Sequence, residues 1–237
     1  GIRYAIAGTN KAFMEFEDPN NYLRIGTVSA DSIVFATSNQ TKMVILPGGN
    51  VGIGTTLPSN QLHVHTDTDD SYGIRIEGST NNAAGVWTGL GIGGESANTK
   101  SAVLFEDVGL SYARGKLHLC VNNAQDQTSA TPADAKLTVS NDGNVGIGVT
   151  NPSSYWTNAN NLVVGGLGAV SGITIATDGN LTGSLIFADS TAAADNTRGG
   201  LQYNHSNDSM LFRVDNATRI TIGSAGAIQF NNYDGTN

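Results

Sequence analysis

Three stretches of this chain align without gaps, and a chain that repeats itself must build its fold from one unit used again. They are Lys42–Gly54 (KMVILPGGNVGIG), Lys136–Gly148 (KLTVSNDGNVGIG) and Arg219–Phe230 (RITIGSAGAIQF). In each, a cationic residue precedes an alternating apolar strand, a glycine-containing turn follows, and a second alternating strand returns. Apolar residues two apart share one face of a strand, so the pattern predicts three β-hairpins.

The repeat extends upstream of each hairpin. Phe13–Asp18 aligns with Val103–Asp107 and Leu185–Asp189, and Tyr22–Ile25 with Gly109–Tyr112 and Gly200–Tyr203. Ser32–Phe35 aligns with Lys116–Leu119 and Ser209–Phe212. A lead-in strand recurs as Gly73–Ile76 and Gly172–Ile175, with Tyr4–Ala7 in its place in the first copy. Each copy therefore reads as about five strands of roughly four to six residues. The turns between them are rich in Asn, Asp, Gly and Ser. No window holds the three-and-four apolar spacing of a helix, and glycine interrupts every candidate.

Composition agrees with short strands and tight turns. The chain of 237 residues is 39% hydrophobic and only 14% charged, with 30 glycines. A disordered chain is poor in apolar residues but usually rich in charge, and its apolar residues are not patterned. The net charge of −8 repels phosphate backbones and argues against a nucleic-acid partner. Cys120 is the only cysteine, so no disulfide forms within the chain. No apolar run of about 18 residues marks a membrane span, and no signal peptide is evident. The first residue is Gly1 rather than Met, as expected of a fragment or a processed product.

Proline marks two joints after the hairpins, at Gly52–Pro58 and Gly146–Pro152, because proline holds its predecessor extended and cannot donate to a ladder. Each joint leads to a short strand, Gln61–Val64 or Asn161–Val164. The expected modules are residues 1–58, 59–152 and 153–237, the last divergent. A repeat of this size with few large apolar groups buries only a limited core alone. Its apolar strand faces and open edges are hazards unless covered. Winding identical chains round one axis covers both and stacks the modules into a rod; a run of small monomeric sandwiches is the alternative.

The stretch Asn50-Val51-Gly52-Ile53-Gly54-Thr55-Thr56-Leu57-Pro58, followed by Leu62-His63-Val64, resembles the junction of bacteriophage tail fibre shafts. Asn144–Pro152 is a second copy, with Val149 for the first Thr and Asn151 before the proline. In the third hairpin Ala227-Ile228-Gln229-Phe230 replaces Asn-Val-Gly-Ile, a fade expected of a terminal module. The resemblance implies an all-β, slender homotrimeric fibre of repeated short-strand modules, intertwined or stacked along a three-fold axis. It implies a virion tail-fibre location outside the cell, with other tail or fibre proteins and a host surface receptor as partners. It also implies an end near a maturation cut, since Phe230–Asn237 resembles the approach to a self-cleaving C-terminal chaperone.

Candidate sites follow from chemistry and from this resemblance. His63 and His65 lie two apart and share a face on a strand. In a trimer three such pairs would offer six imidazoles to one metal ion, a use that related phage fibres make of His-x-His. Leu62 and Val64 occupy the opposite face, so if these form the core the histidines face solvent. The favoured reading is surface or interface histidines and no cofactor. Asp67-Thr68-Asp69-Asp70 lacks the spacing of a calcium loop and reads as a solvated turn. Gly91–Gly94 and Gly165–Gly168 lack the helix and the Lys-Ser/Thr pair of a phosphate cradle, and read as turns or close approaches.

Trp87, Trp156 and Tyr155 are the receptor-contact candidates, with Tyr112 a further aromatic. Trp87 and Trp156 fall in apparent insertions, where specificity tends to reside; the competing reading packs each under its own loop. The carboxylates Glu15, Glu17, Asp18, Glu106, Asp107 and Asp189 recur with the repeat, as strand-end elements do, and not as a lone acid pair. Cys120, two residues from His118, reads as a strand residue, and no nucleophile motif appears. The expectation is therefore a non-enzymatic structural component. A glycan-binding adhesin of a bacterial surface or injection-system fibre is the alternative, and a polysaccharide depolymerase a remoter one.

Overall fold

A computed structural model describes residues 2–6, 9–17, 22–78, 83–93, 98–110, 114–166, 170–192 and 196–231. The chain divides into two compact units, Gly1–Gly91 with Leu104–Ala113, and Ile92–Val103 with Arg114–Asn237. The described residues are all-β, apart from two single 3-10 turns at Pro132–Asp134 and Pro152–Ser154.

The first sheet joins β1 (Ile2–Ile6), β2 (Thr9–Glu17) and β3 (Tyr22–Thr27) in sequence order. The second joins β4 (Ile33–Thr37), β5 (Gln40–Ile45), β6 (Val51–Ile53) and β7 (Leu62–Val64). The third carries β8 (Trp87–Ile92), β9 (Ser101–Leu110), β10 (Arg114–Val121), β11 (Ala135–Val139), β12 (Val145–Ile147) and β13 (Leu162–Val164), again in order. The fourth carries β14 (Thr182–Phe187), β15 (Gly199–Asn204), β16 (Ser209–Val214), β17 (Ala217–Ile222) and β18 (Ile228–Phe230).

The three predicted hairpins are present as β5–β6, β11–β12 and β17–β18, all antiparallel. Their turns are closed alike. Leu46, Ser140 and Gly223 each accept from the glycine three residues on, and each donates to the residue after that glycine. Those glycines have φ of 90°, 89° and 79°, a left-handed conformation that closes a three-residue hairpin loop and that a β-carbon would strain. One strand earlier, a bulge follows the aligned residues in every copy, at Phe35/Ala36, Leu119/Cys120 and Phe212/Arg213. In the first and last copies the next turn is Ser38-Asn39 or Asp215-Asn216, both residues at positive φ, as tight hairpins require.

The middle copy replaces that tight turn with an excursion over residues 122–134. Asn122 donates to the Lys100 carbonyl and Ala130 to that of Thr99. Asp126 pins the loop by accepting from Thr128 Oγ1 at 2.6 Å and its N–H at 3.0 Å, and by pairing with Lys100 Nζ at 3.0 Å. The Thr128 hydroxyl and then its N–H, with Lys100 behind them, pull the Asp126 carboxyl down to about 2. A folded pKa below the unfolded one makes the contribution full above about pH 4 and lost as pH falls from there through about 2. Carboxyl NMR is expected to show Asp126 titrating near pH 2, and Thr128→Val to raise it. A midpoint near 4 in the intact protein would mean that the loop is not docked this way.

Strand order corrects two alignments. Counting back from the hairpins, β9 matches β15 and β3, and β8 matches β14 and β2. Val103–Asp107 on β9 therefore corresponds to Gly200–Tyr203, not to Leu185–Asp189. A slip of one strand conserves an apolar-alternating pattern, which is why the sequence did not reveal it. The expected separate strand at Gly109–Tyr112 is absent in its described part: Gly109 and Leu110 end β9, while Ser111 and Tyr112 lie outside the described residues. Several strands also exceed the expected length, with nine residues in β2, ten in β9 and eight in β10. The lead-ins at Gly73–Ile76 and Gly172–Ile175 join no sheet, whereas β1 pairs antiparallel with β2.

Candidate functional site

The register of each ladder sorts its side chains onto two faces, because directly paired residues point the same way. In the second sheet one face carries the rows Ile33–Ile45–Val51–Leu62 and Phe35–Met43–Ile53–Val64. The third sheet repeats these as Leu117–Val139–Val145–Leu162 and Leu119–Leu137–Ile147–Val164. The fourth has Leu185–Leu201–Phe212–Ile220–Phe230 beside Tyr203–Met210–Ile222–Ile228. In the first sheet, Ile2–Met14–Ile25 and Phe16–Leu23 share a face.

These apolar faces are the exposed ones. Phe35, Ile53, Leu62, Leu117, Leu119, Ile147, Leu185, Phe212 and Phe230 are all solvent-accessible, Phe230 at 65%. Contiguous apolar patches beyond a few hundred Å² mark interaction surfaces.

The opposite faces are the covered or polar ones. In the third sheet His118, Thr138 and Gly146 form the row that is buried, with His118 and Thr138 at 0% exposure and His118 Nδ1 2.9 Å from Thr138 Oγ1. In the second sheet Val44 and Gly52 are buried in the corresponding row, while Val34 on the edge strand β4 is half-exposed. The first sheet packs Arg3, Phe13, Glu15 and Arg24 on this side: Glu15 pairs with both arginines, and their guanidinium carbons lie 5.7 and 5.1 Å from the Phe13 ring centre. The fourth presents the row Ser184–Gln202–Leu211–Thr221–Gln229 there, beside Ile186–Gly200–Arg213, a mixed and mainly polar face.

The proline joints supply the cover. After β6 the chain turns back over its own sheet so that the Thr55 carbonyl sits on Gly52, where an added β-carbon would lie 2.4 Å from that oxygen. After β12 the Val149 carbonyl sits on Gly146 in the same way, at 2.2 Å. Pro58 and Pro152 are buried. Asn50 Nδ2 donates to the Pro58 carbonyl, and Asn144 Nδ2 to Ser153 Oγ, each at 3.3 Å. Gly54 and Gly148, both at φ 73°, then release β7 and β13 to pair parallel with β6 and β12. The joint motif is thus a lid with a parallel return strand, and its Asn, Gly and Pro each have a packing reason. Beside the second joint, Asp142 accepts from Ser140 Oγ and Ser153 Oγ, hydrogen bonds that hold its carboxyl below the usual range.

His63 and His65 lie side by side, their ring centres 6.4 Å apart and edge to face. His63 sits half-buried in the covered row beside Gly52, its Nδ1 accepting from Ser59 N–H at 3.4 Å. His65 lies past the end of β7, exposed and 3.2 Å from Asp67. Leu62 and Val64 do face the other way, but onto the open apolar side, so Leu62 is the more exposed neighbour. No group of three or more His, Cys, Asp or Glu suited to a metal occurs among the described residues. Asp67–Asp70 are exposed.

Trp87 is not in an insertion: it opens β8, the edge strand of the third sheet, and is half-exposed. Trp156 is 71% exposed on the second joint, next to a partly buried Tyr155. Tyr112 lies outside the described residues.

Asp107 is buried and accepts from Gly109 N–H at 2.6 Å, while Asp189 pairs with Arg198 at 3.2 Å. Asp18 and the side chain of Glu17 lie outside the described residues. Cys120 is buried. Gly93 is a close approach, where a β-carbon would lie 2.5 Å from the Asn98 carbonyl oxygen; Gly165, at φ 103°, is another, against Ser171. Gly94, Leu167 and Gly168 lie outside the described residues.

The signal that sequence reading missed is the parity of the ladders, which in the second and third sheets places the large apolar rows on the side away from the joint. No family model matches the chain, and no curated protein matches it.

Proposed function

We propose that this chain is a non-catalytic segment of a homotrimeric fibre shaft of the bacteriophage tail-fibre kind, holding a receptor-binding tip away from the virion. One observation carries the reading: all four sheets leave an apolar face open while a polar or lidded face takes the other side. A chain that lived alone would place those rows inside. Copies of the same chain offer matching rows at matching heights, so self-association covers every module by one rule. The number three comes from the likeness of Asn50–Pro58 and Asn144–Pro152 to fibre-shaft junctions. Fibre proteins at either end and a host surface molecule are the implied partners. Negative-stain images of the purified protein are expected to show slender rods, and host polysaccharide to show no new reducing ends on incubation. Compact particles would contradict the shaft, and turnover lost in a carboxylate variant would contradict the non-catalytic reading.

A second reading has the exposure of Trp156 in its favour. A flat aromatic beside Tyr155 suits stacking on a sugar ring. If the shaft itself adheres, Trp156→Ala abolishes binding on a glycan array without changing the assembly; an unchanged array excludes that contact.

A further inference from the structure

The two lead-in segments, residues 73–77 and 172–177, have the alternation of strands but no ladder. Among the described residues, no backbone–backbone hydrogen bond involves 73–78 or 171–177, and every one of these residues is exposed. In the first copy the equivalent strand, β1, closes the outer edge of β2. The strands equivalent to β2 are β8 and β14, and both stand at the open end of their sheets. So the chain carries, twice over, a strand without an edge and an edge without a strand.

We infer that these segments are exchanged: in the assembled protein each lead-in pairs with the β8 or β14 edge of a neighbouring copy, interlocking the chains. This rests on the self-association proposed above and specifies its main-chain part.

The geometry of the fourth sheet argues against closure within one chain. Gly183 belongs to the apolar face, in register with Tyr203. A β-carbon on Gly183 would lie 3.5 Å from Ile175 Cγ2. The lead-in therefore crosses over the apolar face of its own β14 and does not run beside its edge. It leaves a cleft of about 330 Å³ between Ile175 and Leu185, Leu201, Tyr203 and Met210. Upstream, Ile173 and Val170 project freely. Their alternation, apolar at Ile173 and Ile175 and polar at Thr174, matches the edge they would join, with Leu185 on one face and Ser184 on the other.

The occupant is a second copy because every copy carries both halves of the pairing, an unpaired lead-in and an uncovered β8 or β14 edge, and leaves the apolar rows beside them exposed. An open edge beside an unpaired strand is the arrangement that strand addition uses.

Two measurements on the assembled protein test this. Hydrogen exchange is expected to show amides of 173–177 protected ~100-fold or more over unstructured peptide. In a Thr174→Cys, Ser184→Cys variant, oxidation is expected to give covalent dimers and trimers on a denaturing gel, with Thr174→Cys alone as the control. A trimer by sedimentation whose 173–177 amides exchange freely, or whose disulfide closes within one chain, overturns the exchange and leaves the trimer standing. A monomer by sedimentation overturns both. If no disulfide forms, the exchange rates decide.

Discussion

Phe212→Asp is expected to dissociate the assembly. Phe212 lies at the centre of the apolar face of the fourth sheet, between Leu201 and Ile220. In the isolated chain it is 37% exposed, so the substitution also loses packing within the single chain, and retained β-structure by circular dichroism is the condition on which dissociation is read. In a self-associated form the same position is enclosed. There the variant forfeits burial of the part of the ring that the single chain leaves open, about 1 kcal/mol per chain, and buries a carboxylate without a partner. Together these exceed about 4 kcal/mol per chain, a thousandfold or more in the association constant. Gln229→Asp is the matched control, two strands away on the opposite face and exposed. It is expected to leave the sedimentation behaviour unchanged. If Phe212→Asp assembles normally, the apolar faces are not the interface. If both variants dissociate equally, the two faces are not distinguished as described.

The second large effect is expected in the joints, where two glycines with the same φ differ in surroundings. Gly54 and Gly148 both have φ 73°. Any residue but glycine there incurs the left-handed penalty of about 1–2 kcal/mol. At Gly148 nothing lies closer than 3.8 Å to an added β-carbon, so Gly148→Ala is expected to cost no more than that. At Gly54 the β-carbon would stand 2.1 Å from the His65 carbonyl oxygen. That carbonyl belongs to the backbone just after β7, so relief requires β7 to move off β6, adding about 2 kcal/mol or more of lost pairing and strain. Urea unfolding is therefore expected to show Gly54→Ala as the more damaging by a clear margin. Equal costs would mean that the return strand is not anchored at His65 in the way described.

Particular residues show how far the sequence could be read. The hairpins and their turns were legible, because glycine at 49, 143 and 226 between alternating apolar runs has few other uses. The joints were legible as joints from Pro58 and Pro152. What they do was not: a carbonyl folding onto Gly52 or Gly146 is a tertiary contact, and only the absence of a side chain hints at it. The β9 slip arose because Leu104-Phe105-Glu106-Asp107 and Ile186-Phe187-Ala188-Asp189 satisfy the same short pattern. Neither could sequence alone say which face of a strand is covered. The alternation put His63 opposite Leu62 and Val64 correctly, but the face bearing His63 is the one beneath the joint. Trp87 looked inserted for the same reason that β9 slipped, since recognising β8 as a strand depends on counting strands from the hairpin backwards. The lead-ins were legible as strand-like and illegible as partnerless, because pairing is a property of the whole sheet.

Sedimentation equilibrium of the purified chain shows whether the open apolar faces are closed by further copies of this chain. A single species at three times the chain's 24.5 kDa is expected, with no monomer down to about micromolar concentration. A stable, soluble 24.5 kDa monomer that unfolds cooperatively would contradict it.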